Sequence, residues 1–128
     1  MTKPMPLVAC WFDSGIGEDG AHNSIKQRFE QISPRITRWE FGDNSDLIIE
    51  KIQQNPTIRF IFITSGAWAH QKIPLISQEP NLHSFYIYCG RKTKYEDLMN
   101  SEPKLKGIFD DDDLLYEKLS QDLRSDFP

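Results

Sequence analysis

The chain has 128 residues with 15 basic and 19 acidic side chains, a formal net charge of -4 and a pI near 5.3. A polyanionic partner such as nucleic acid is disfavoured by that balance, and Lys and Arg are dispersed along the chain. A mean hydropathy of -0.54 and apolar runs far short of the roughly 20 residues of a spanning helix exclude an integral helical membrane protein.

Residues 1–6 carry one positive charge and precede only a short apolar segment, so no signal peptide is read. Leu7-Val-Ala-Cys-Trp-Phe-Asp13 is apolar on consecutive positions, which predicts a strand covered on both faces. Ser14 to Gly20 read as a flexible loop. Asn23 or Ser24 can then cap a helix with Ile25, Phe29 and Ile32 on one face, stopped by Ser33-Pro34.

Ile36 to Phe41 alternates, with Ile36, Arg38 and Glu40 on one side and Thr37, Trp39 and Phe41 on the other, as in an edge strand. The turn Gly42-Asp-Asn-Ser45 supplies caps for a helix carrying Leu47, Ile48, Ile49 and Ile52, ended by Asn55-Pro56. Arg59-Phe-Ile-Phe-Ile-Thr-Ser-Gly66 is the organising stretch, the central strand of a parallel sheet. The helix that can start at Ala67 should bend or break at Pro74, with Leu75 and Ile76 resuming contact with the sheet.

His83 to Cys89 is a fourth strand rich in aromatics, ended by Gly90. Arg91 to Asn100 predicts a short, lightly packed helix with Tyr95, Leu98 and Met99 as its core contacts. Leu105 to Phe109 gives a short fifth strand. Asp110 to Asp113 cap a final helix in which Leu115, Leu119 and Leu123 repeat, and the tail from Arg124 is expected to fray.

Strand and helix thus alternate five times in one domain, residues 1–128, with 1–6 and 124–128 as flexible ends. Consecutive parallel strands need right-handed crossovers, and helices must cover both faces. The expected architecture is a three-layer, doubly wound α/β fold whose five-stranded parallel sheet has the order 2-1-3-4-5, as in flavodoxin-like domains. Cys10 and Cys89 then have a strand between them, about 9 to 10 Å apart, too far for a disulfide. Both read as reduced core thiols, and a cytoplasmic location is expected.

Chemistry should gather at the carboxyl ends of the strands, where Asp13, Ser14, Thr64, Ser65, Cys89 and Gly90 emerge. Gly15-Ile-Gly-Glu-Asp-Gly20, with Glu40 on the second strand, matches the dinucleotide pattern G-x-G-x-x-G with its distant acid. Glu18 and Asp19 stand where phosphate would lie, and no second mononucleotide half follows, so this loop is a weak phosphate site. Ser65, His70 and Asp13 are a conceivable triad, but Thr64-Ser-Gly-Ala-Trp68 lacks the first glycine of the nucleophile elbow. Helix capping is the plainer role for Ser65. The histidines have no metal spacing, and the aspartate run lacks the calcium-loop pattern. Trp68, beside a glycine and before a proline, is a candidate contact residue.

The order of elements, the length and the acid closing the first strand resemble a response-regulator receiver domain over nearly the whole chain. Receivers place paired acids after the first strand for magnesium, a phosphoacceptor aspartate after the third, a hydroxyl after the fourth and a lysine after the fifth. The corresponding places here read Phe12-Asp13, Ser65, Cys89 and Phe109-Asp110. A serine without a base cannot replace the carboxylate nucleophile, so the resemblance implies a pseudo-receiver, without catalytic residues, metal or cofactor. Its expected partners are another protein, a neighbouring domain of a longer signalling chain, or a second copy in a homodimer. The alternative is a small nucleotide- or NAD-binding enzyme resembling TIR domains, using the Gly15 to Gly20 loop and the strand-end crevice.

Overall fold

The computed structural model describes residues 6–13, 22–90 and 92–127. In chain order they form β1 (Leu7–Phe12), α1 (Asn23–Glu30), β2 (Ile36–Gly42), α2 (Asp46–Gln54), β3 (Arg59–Thr64), α3 (Gly66–Ile76), β4 (Leu82–Tyr88), a 3-10 turn (Lys92–Tyr95), α4 (Glu96–Ser101), β5 (Leu105–Phe109) and α5 (Asp112–Asp126). The sheet is parallel throughout, in the order β2-β1-β3-β4-β5, the flavodoxin-like arrangement expected from the alternation of elements. No helix among the described residues is long and apolar enough to cross a membrane.

Two apolar clusters sandwich the sheet. Val8, Cys10, Phe12, Phe60, Phe62, Phe85 and Ile87 face α2, α3 and α4, which contribute Ile48, Ile52, Ile73, Ile76 and Leu98. Leu7, Ala9, Trp11, Ile61, Ile63 and Tyr86 face α1 and α5, which contribute Phe29, Leu115, Leu119 and Leu123. Alternate residues of β1 and β3 thus enter opposite cores, which is why both strands read as unbroken apolar runs. Trp11 and Phe29 meet edge to face, with ring centroids 5.0 Å apart.

Several local expectations are corrected. Ile36 shares a core with Trp39 and Phe41 instead of facing away from them. Leu7 is opposite Ile36 but Val8 is opposite Arg38, so Thr37 is skipped and the strand changes face there. α1 begins at Asn23, preceded by His22 at φ 55°, and neither Asn23 nor Ser24 is its cap. The turn before α2, by contrast, supplies its cap as expected, the Asn44 side-chain oxygen accepting from the Asp46 amide at 3.0 Å.

α3 runs unbroken through Pro74. The missing donor falls in the last turn, where the Ser77 amide still reaches the Ile73 carbonyl at 2.8 Å, and Ile73 and Ile76 anchor both sides of the proline in the core. Leu75 does not return to the sheet; it is 60% exposed. α5 continues to Asp126, past Arg124, and Phe127 packs onto the α1/α5 core.

One polar anchor lies deep in the fold. Asn81, almost fully buried, donates from Nδ2 to the Ile52 and Asn55 carbonyls at 2.9 and 3.0 Å, and its own carbonyl accepts from Phe60 at 2.8 Å. Asn81 thereby ties the end of α2, through its side-chain amide, and the start of β3, through its main-chain carbonyl, to the start of β4.

Candidate functional site

The carboxyl ends of the strands place the candidate residues on different sides of the sheet. Asp13 follows Phe12, with its amide donating to the Gly42 carbonyl at 3.0 Å. Its carboxylate accepts from the Trp11 indole at 2.9 Å, and Trp11 belongs to the α1/α5 core. Thr64 continues the alternation of Phe60 and Phe62 toward the α2/α3 side, where half-buried Cys89 also packs. Asp13 is therefore aligned with one core, and Thr64 and Cys89 with the other.

At the end of β3 the chain turns directly into α3. Ser65 is extended (φ -64°, ψ 158°), and its Oγ accepts from the Trp68 amide at 3.4 Å as the helix cap. Gly66, the first helical residue, lies under the ring of Tyr95: a Cβ there would come within 2.1 Å of Cε2. Tyr95 is buried, so an aromatic ring of the chain itself covers the first residue of α3. The Thr64 hydroxyl is fully buried, with no hydrogen-bond partner among the described residues. The sequence marks Tyr95 as a core contact, but its place over Gly66 depends on a residue 29 positions away in the chain.

His70 opens outward from α3, lining with Ala67, Gln71, Lys94 and Tyr95 a shallow groove of about 220 Å³. Ser65 is turned into its own helix, Asp13 toward Trp11 and His70 toward solvent, so the three side chains of the conceivable triad have three separate surroundings. Trp68 is half-buried against the α2/α3 core.

Of the weak phosphate site, Ser14, Gly15, Gly17 and Gly20 lie outside the described residues. Glu40 is described, on β2 opposite Cys10. Its carboxylate is gripped by Lys51 from α2 and by Arg38 Nε at 3.1 Å. Burial pushes its pKa up, but these two cations outweigh burial and hold it below the ordinary carboxylate value. Burial, with the Glu40 charge adding to it, pushes the Cys10 thiol far up, so Cys10 stays protonated.

An acidic rim is the feature the sequence left as a simple cap. Asp111 does cap α5, accepting from the Asp113 amide at 2.8 Å. Arg28 of α1 reaches Asp113 and, at 3.7 Å, Asp112. Tyr88, edge-on to Trp11 at 5.6 Å, has its pKa raised by partial burial and by the charges of Asp112, Asp111, Asp13 and Asp110, which gather around it from the ends of β1 and β5. The described residues contain no group of three His, Cys, Asp or Glu side chains arranged to hold a metal ion.

No protein-family model matches the chain, and no curated protein or solved structure matches it either.

Proposed function

We propose that this domain is a non-catalytic, receiver-like module that works by contact with another protein or a neighbouring domain. The carrying observation is the end of β3. Where a receiver holds its phosphoacceptor, this chain has Ser65 with its hydroxyl engaged as a helix cap and Tyr95 packed onto Gly66 beside it. A carboxylate nucleophile is replaced by a group that has a structural role, and a buried ring covers the residue that follows it. The separation of Asp13 from Thr64 and Cys89 on the two sides of the sheet supports the same reading. Cys10 and Cys89, both thiols, suit a reducing cytoplasm.

The test is calorimetry with magnesium and beryllofluoride at millimolar concentration, together with thermal shift against NAD, ATP and GTP. All traces should stay flat. A nucleotide at a hundredfold excess over its Kd would stabilise the fold by about 2.7 kcal/mol, so binding would be plain and would overturn the reading.

A further inference from the structure

β2 ends the sheet, and among the described residues no strand pairs with its outer side. The Asp13 amide donates to the Gly42 carbonyl, so Gly42 turns its main chain toward β1. Main-chain direction alternates along a strand, so Glu40 points the same way, while Trp39 and Phe41 aim their amides and carbonyls outward. No residue from Thr37 to Gly42 is fully buried, as an accessible edge requires. An edge of this kind is a template for one more strand.

The side chains select which strand. Arg38 and Glu40 share the face of the sheet toward α2, where Arg38 Nε lies 3.1 Å from one Glu40 oxygen and Lys51 holds the other. Trp39, between them, takes the α1/α5 face. We propose that β2 pairs antiparallel with β2 of a second copy of this chain, about a two-fold axis at Trp39. Trp39 then exchanges both main-chain hydrogen bonds with its own equivalent, and Arg38 lies directly opposite Glu40 of the second copy on each side of the axis. Glu40 keeps Lys51 and exchanges its own Arg38 for that of the second copy. Both attractive pairs come from one short stretch, Arg38-Trp39-Glu40, read against itself. Centring the axis on Arg38 or on Glu40 instead sets like charges face to face, so charge fixes the register. A peptide from another protein would need no such self-complementarity. The pairing names a partner for the contact module proposed above and rests on that reading for its purpose. Its geometry does not: a chain that stays monomeric leaves the ligand traces flat, and a ligand that binds leaves the dimer intact.

Sedimentation equilibrium of the whole chain from about 10 μM to about 1 mM should show a reversible monomer–dimer equilibrium. Amide hydrogen exchange, read residue by residue, should slow at Trp39 and Phe41 as the chain is concentrated and stay unchanged along β5, the other edge of the sheet. Arg38→Glu sets carboxylates opposite each other in both pairs and should weaken the dimer about tenfold or more, and Glu40→Arg should do the same with guanidinium groups. Mixed in equal amounts, the two variants regain both attractive pairs and should form a heterodimer tighter than either variant alone. Arg38 is exposed, so its variant should keep the melting temperature of the parent. Should Glu40→Arg fail to fold through the loss of its Lys51 pair, Arg38→Glu and the exchange pattern decide alone. A chain still monomeric at about 1 mM, a dimer indifferent to Arg38→Glu, or concentration-dependent protection at β5 in place of β2 would each overturn the proposal.

Discussion

Gly66 and Tyr95 fit together as a hole and its filler: the Tyr95 ring occupies the space a side chain at position 66 would need, with its Cε2 2.1 Å from where a Cβ would stand. Alanine at a helical position ordinarily gains up to about 1 kcal/mol over glycine, so a loss here would report the ring alone. Gly66→Ala should destabilise by about 1–3 kcal/mol, the cost of overpacking a core. In a Tyr95→Ala background the same substitution should be neutral or stabilising. Urea denaturation of the four members of the cycle measures this, and additive effects would disprove the close contact.

Asn81→Ala should cost about 1–3 kcal/mol, because it leaves the Ile52 and Asn55 carbonyls without their buried donor. Asn81→Asp should be at least as damaging, since it replaces the donating amide with a charge facing two carbonyl oxygens. Chemical denaturation compares the two; a near-neutral result for either would show that water replaces the amide.

The thiols should differ sharply in reactivity. Burial holds Cys10 protonated, whereas Cys89 at the end of β4 is only half-buried. In the native protein, an aromatic disulfide reagent should label Cys89 first, with Cys10 labelled only after unfolding, as peptide mass spectrometry would establish. Labelling of Cys10 at the native rate of Cys89 would contradict the packing of β1.

Acidification should weaken the fold through two groups. Burial raises the Glu40 pKa, but Lys51 and Arg38 bring it below 4.5 in the folded state. Its contribution is therefore complete above the unfolded pKa and is lost as pH falls through the lower folded value. Glu40→Gln should flatten the stability curve in that acid range.

His83 acts in a higher window. Its pKa is lowered from 6.5, chiefly by burial and against the pull of Asp126. The unfolded chain takes up the proton first, so stability falls as pH drops from about 6.5 toward the lower folded value. His83→Gln should remove that slope while leaving the Glu40 region intact. Denaturation midpoints across the two pH windows separate the contributions, and a slope unchanged by both substitutions would rule out these assignments.

The consecutive apolar residues of β1 and β3 were enough to assign buried parallel strands, and their alternation with amphipathic stretches was enough to expect the order 2-1-3-4-5, because crossover handedness and two-sided burial leave few other arrangements. Ser65 as a helix cap was legible for the same reason, since capping depends on three neighbouring residues. Pro74 inside α3 and the slip at Thr37 were not, because each is decided by what the rest of the fold holds in place.

The site lay further from the sequence still. Residue types at strand ends told that Asp13, Thr64, Ser65 and Cys89 would come to one edge of the sheet, but the phase of each strand decided that Asp13 aligns with the α1/α5 core and Thr64 and Cys89 with the other. Only tertiary packing could lay Tyr95 on Gly66 or bring Arg28 to Asp113, since each pair joins segments distant in the chain whose meeting depends on the sheet that carries them.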